Sequence, residues 1–65
     1  MSNDELNRKA ARLMVMRGGR FMKQIGEAWL CADPVNADRL VAAFPEKFNE
    51  YRQQALEMEG NHATV

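Results

Sequence analysis

From Leu6 to Met58 the apolar side chains recur at alternating steps of four and three residues, the spacing of one helical face. Leu6, Ala10 and Leu13 share one side of a first segment. Met14, Gly18, Phe21, Ile25, Ala28 and Ala32 then follow at steps of 4, 3, 4, 3 and 4, with Met22 and Trp29 beside them. A second segment repeats the pattern, with Ala37, Val41, Phe44, Phe48, Tyr51, Ala55 and Met58 at steps of 4, 3, 4, 3, 4 and 3. No stretch alternates polar and apolar residues in the manner of a strand. The chain therefore reads as all-α.

Punctuation residues place the helix ends. Ser2 and Glu5 have the spacing of a capping box, in which hydroxyl and carboxylate each satisfy an otherwise orphaned amide. This predicts a first helix over about 3–32. The adjacent glycines Gly18 and Gly19 cost about 1 kcal/mol each in a helix interior relative to alanine. Because the apolar period runs through them, a continuous or mildly kinked helix is favoured, in which bare backbone lets a neighbour approach closely, as Gly26 would further along. The alternative is a break into two helices, with Arg17 and Arg20 at the break. Asp33-Pro34 marks a turn over 32–34: proline pushes its predecessor out of the helical region and suits the first helical position, so Asp33 reads as an N-cap. A second helix is predicted over about 34–59. It should kink or restart near Pro45, whose ring clashes with the carbonyl of Val41. Gly60 should close it, leaving residues 60–65 as a tail.

A tight turn between two helices makes an antiparallel helical hairpin. Sixty-five residues bury only about 60% of the surface exposed by the unfolded chain, so the hairpin should need support from a disulfide, a metal or a second copy. Cys31 is the single cysteine and His62 the single histidine, about thirty residues apart, which excludes an internal disulfide and makes a poor zinc site. Homodimerisation into a four-helix bundle is the support that remains. Its core, or dimer seam, is expected to contain Met14, Phe21, Ile25, Trp29, Val41, Phe44, Phe48 and Tyr51. No apolar run reaches membrane-spanning length, and the SNDEL opening is acidic and polar where a secretion signal would be basic and then apolar. No membrane role is expected, and the chain is read as cytoplasmic.

Charge is zero overall but unevenly placed. Residues 1–32 carry Arg8, Lys9, Arg12, Arg17, Arg20 and Lys23 against Asp4, Glu5 and Glu27; residues 33–65 carry Arg39, Lys47 and Arg52 against six carboxylates. One reading is a basic helix folded against an acidic one. Catalytic arrangements are missing: no Ser/His/Asp or Cys/His spacing, no phosphate-cradling loop and no cluster of metal ligands. No enzyme activity, cofactor or metal is expected. On a continuous first helix, Arg12, Met16, Arg20 and Lys23 project together opposite the apolar stripe. A flexible thioether among cations suits an adaptable protein-binding surface, and these four are the candidate partner-binding residues. The weaker alternative is a small nucleic-acid-binding regulator using the same basic face, since phosphate binding suits cations but the second helix is acidic.

The run GGRFMKQIGEAWLCADPVNADRLVAAFPEKFNEYRQQA, residues 18–55, resembles small helical host-takeover proteins encoded by bacteriophages, the group that includes the anti-quorum-sensing protein of Pseudomonas phages. The likeness rests on a GG-x-F start, an AW pair in the first helix, an AD turn and an AFP-x-x-F-x-x-Y stretch. These are mostly structural residues, and no binding residue is transferred from the family. The resemblance implies a helical homodimer in the cytoplasm of a host bacterium that disables host proteins by binding them. The targets it implies are a LuxR-type quorum-sensing transcription activator and the type IV pilus assembly ATPase.

Overall fold

The computed structural model describes the backbone of residues 3–63 and the side chains of residues 4–58. It is all-helical, with α1 at Asn3–Arg17, α2 at Arg20–Cys31, α3 at Pro34–Ala43 and α4 at Pro45–Ala63. Ser2 of the anticipated capping box lies outside the described residues.

The helix anticipated over 3–32 is two helices. The amide of Gly18 still donates to the Met14 carbonyl at 2.8 Å, ending α1, and Gly19 then extends (φ −68°, ψ −175°) as the N-cap of α2, its carbonyl accepting from Lys23 at 2.9 Å. Beyond this break α2 runs back along α1. Gly18 lies against Met22, whereas Gly26, further along α2, meets Ala11 and Val15, further back along α1. Both ideas about the glycines therefore hold in part: the pair breaks the helix, and Gly18 and Gly26 are sites of close approach. A Cβ on Gly18 would lie 2.5 Å from the Met14 carbonyl oxygen and 2.7 Å from the Met22 Cβ. Close packing between α1 and α2 offsets the propensity lost at these positions.

The turn over 32–34 has Asp33 as N-cap and Pro34 opening α3; the Asp33 carboxylate accepts from the Asn36 side chain at 2.6 Å. The second long helix is also divided. Phe44 leaves the helical region (φ −129°, ψ 57°) while its amide closes α3 on the Leu40 carbonyl. Pro45 then opens α4, a position that needs no amide hydrogen. Gly60 does not end α4, which continues to Ala63. Glycine stops a helix by turning left-handed, and no glycine here has positive φ.

Helix α1 is central: α2 and α4 pack along it rather than on each other, and α3 touches α2 and α4. The buried cluster joins Ala10, Ala11, Leu13 and Met14 of α1, Trp29 of α2, and Phe48, Tyr51 and Ala55 of α4. Met14 and Phe48 are the largest fully enclosed side chains. Of the anticipated core, Ile25, Val41 and Phe44 are half-buried at the margin. Phe21 is 61% exposed, a correction to its core assignment. With the helix broken at Gly19, its phase no longer follows that of Met14, and its ring instead packs edge-to-face on Phe44 at 5.7 Å. Asn7 is buried as well, accepting a hydrogen bond from the Arg52 guanidinium at 2.9 Å that ties α4 to α1.

Candidate interaction surfaces

Arg12 and Met16, four residues apart on α1, share a face, as do Arg20 and Lys23, three apart on α2. The four do not lie along one helix. Their common projection required an unbroken register across Gly18 and Gly19, and the chain reverses there. All four are exposed, Met16 to 76%. The structure thus retains two short two-residue faces in place of one stripe. Between them, the Arg17 guanidinium reaches Gln54 of α4 at 3.4 Å. That contact and the Arg52–Asn7 bond both join a guanidinium to an amide oxygen, so basic α1 meets acidic α4 here through neutral partners.

Large apolar side chains also face outward. Phe21, Leu30 and Val35 are exposed on α2 and α3, and Leu56 and Met58 on α4. Helix α3 has no buried residue, although Leu40 and Val41 turn toward the core.

A second feature lies where the start of α1, the end of α2 and the start of α3 converge. There a cleft of about 260 Å³ is walled by Asp4, Arg8, Trp29, Leu30, Pro34 and Asp38, among others. Trp29 is only 8% exposed, and its indole Nε1–H finds no hydrogen-bond acceptor among the described residues. Sequence reasoning missed this cleft. Asp4 and Arg8 have helical spacing, but nothing in the residue order connects them with Asp38.

Among the described residues no three potential ligand side chains gather where they could hold a metal ion, and no helix is long and apolar enough to cross a membrane. Comparison with protein-family models, curated proteins and solved structures finds no match to the chain.

Proposed function

We propose that this chain is a small phage or prophage protein that inhibits a host protein by stoichiometric binding, as a homodimer and without chemistry of its own. The proposed targets, taken from the resemblance over residues 18–55, are a LuxR-type transcription activator and the type IV pilus assembly ATPase. The observation that carries the binding role is the uncovered apolar surface: Met16, Phe21 and Val35 are each more than half exposed in a chain of 65 residues. Large exposed apolar side chains are the kind of anchor on which a protein interface draws.

Two surfaces divide the work in this reading. The Phe21 and α3 side, where Phe21 packs on Phe44 and Val35 is exposed, receives the second copy. Arg12, Met16, Arg20 and Lys23 meet the host target, with cations for steering and Met16 as an adaptable anchor. The test mixes the purified protein with each purified target. A complex of fixed stoichiometry is expected in size-exclusion chromatography, with loss of DNA binding by the activator or of ATP hydrolysis by the pilus motor. Arg20→Glu with Lys23→Glu should weaken it at least about tenfold. If neither target binds, or the double reversal changes nothing, the target or the surface assignment is wrong. Sedimentation at micromolar concentration should give twice the chain mass; a monomer would remove the dimer.

A further inference from the structure

Between Asn3 and Cys31 only Gly18 and Gly19 lie outside a helix. Helical hydrogen bonding persists up to the break and resumes at it, with the Gly18 amide donating to the Met14 carbonyl and the Lys23 amide to the Gly19 carbonyl. Gly19 already has a helical φ of −68°, and its ψ of −175° is what departs. No side chain caps the first amides of α2. In an unbroken helix the last carbonyls of α1 would accept from those amides, satisfying both ends at once. The apolar phase of Met14, Gly18, Phe21 and Ile25 runs through the same point.

Packing across the break has a symmetry of its own. Gly18 lies against Met22, and Gly26 against Met14 and Val15; all of these pairs are centred within one residue of Arg20. Two unbroken helices laid antiparallel about a two-fold axis beside Arg20 would repeat the same pairs between chains, because such an axis sets residue i beside j and j beside i. Helix α1 is joined to the rest of the chain only through the two glycines, and both α2 and α4 pack along it. Its contacts with Trp29, Phe48 and Tyr51, and the Asn7–Arg52 bond, can all be made by the corresponding residues of a second copy.

We infer that two chains exchange α1, forming a dimer in which residues 3–31 of each are one helix and each α1 packs on α2 and α4 of the partner. The inference rests on the homodimer proposed above and specifies how its copies connect. Phe21, 61% exposed in the single chain, then takes the seam position that its spacing from Gly18 and Ile25 gives it, near its counterpart across the axis. Exchange keeps the packing around α1, closes the hydrogen bonds left open at the break and covers an aromatic ring. Lost freedom on association opposes it, so concentration decides between the single chain and the exchanged pair.

The test mixes ¹³C-labelled and unlabelled full-length chains, unfolds them together in urea, refolds them at millimolar concentration and isolates the dimer by size exclusion. Isotope-filtered NOEs should connect Gly26 Hα of one chain with the Val15 methyls of the other, atoms that meet across the α1–α2 contact. Gly19→Ala favours the unbroken helix at both hinges and should tighten the dimer at least about tenfold. Gly19→Pro has a ring that suits a φ of −68° but is disfavoured in a helix interior, and should weaken the dimer at least about tenfold. A dimer whose Gly26–Val15 contact stays within each chain would overturn the exchange and leave the Phe21 and α3 interface standing. Equal dimer affinity in the alanine and proline variants would also overturn it. A Gly19→Ala protein that remains a single chain at millimolar concentration would overturn both the exchange and the homodimer on which it rests.

Discussion

Helices α1 and α3 are both rich in apolar residues at helical spacing, yet they have opposite fates. Ala10, Ala11, Leu13 and Met14 of α1 are all buried, whereas α3, with Val35, Ala37, Leu40, Val41, Ala42 and Ala43, buries none fully. Periodicity is similar in the two; what differs is the coverage. Along α1, small side chains at Ala10 and Ala11 and bare backbone at Gly26 let α2 come close, while α4 lays Phe48 and Tyr51 against it. Helix α3 is bounded by Asp33-Pro34 at one end and Phe44-Pro45 at the other, and it touches only α2 and α4. A stripe of apolar residues specifies which side of a helix can be buried. Whether it is buried depends on what the rest of the chain can bring against it.

The sharpest way to break this comparison is to truncate one side chain from each environment. Phe48→Ala removes a fully enclosed ring between α4 and α1 and should cost about 3–5 kcal/mol. Domain stabilities run at about 0.05–0.15 kcal/mol per residue, so much of the population should be unfolded in buffer. Val35→Ala on α3, at a side chain 59% exposed, should cost less than about 0.5 kcal/mol. Urea denaturation followed by far-UV circular dichroism measures both. Similar losses from the two variants would mean that α3 is covered after all, and a concentration-dependent loss at Val35 would identify a second copy as the cover.

A smaller effect sharpens the account of α1. Alanine favours a helix interior over glycine by about 1 kcal/mol, so propensity alone makes Gly26→Ala stabilising. Packing reverses the sign. A Cβ at Gly26 would stand 2.5 Å from the Ala11 carbonyl oxygen and 2.9 Å from the Met14 Cβ. The first of these is backbone and cannot rotate away, so α1 and α2 must separate, at a net cost of about 1–3 kcal/mol. A raised urea midpoint in this variant would show that the helices have room between them.

Much of this architecture was legible in the residues. The all-helical class and the turn at Asp33-Pro34 follow from periodicity and proline chemistry, both local effects. Periodicity running through Gly18-Gly19 favours an unbroken helix, yet a four-three apolar spacing is equally consistent with two helices that share a core. The same continuous phase would turn Phe21 inward. The candidate surface fared likewise: the Arg12–Met16 and Arg20–Lys23 spacings are within-helix facts and survive, while their alignment depended on the lost register. Asn7 and the cleft around Trp29 were invisible for a different reason. Each is made by residues more than twenty positions apart, Asn7 with Arg52 and Asp4 with Asp38, and a single sequence contains no signal for such pairings.

The smallest expected effect separates the two adjacent glycines. Gly18 is sterically required, but a Cβ at Gly19 would meet nothing within 4 Å, and its φ of −68° is ordinary for any residue. Gly19 is also the N-cap of α2 and supplies no side-chain hydrogen bond to the first-turn amides. Serine there would accept one of those amides, a gain of a few tenths of a kcal/mol over glycine. It would also restrict the unfolded chain, for which comparable glycine replacements give about 0.4–1 kcal/mol. Gly19→Ser should therefore stabilise by about 0.5 kcal/mol, while Gly18→Ser destabilises through its clash with the Met14 carbonyl and Met22. If both serines destabilise alike, the pair acts as one flexible joint. If they differ in sign, the first glycine is there for packing and the second only permits the break, which leaves the reversal between α1 and α2 specified by Gly18.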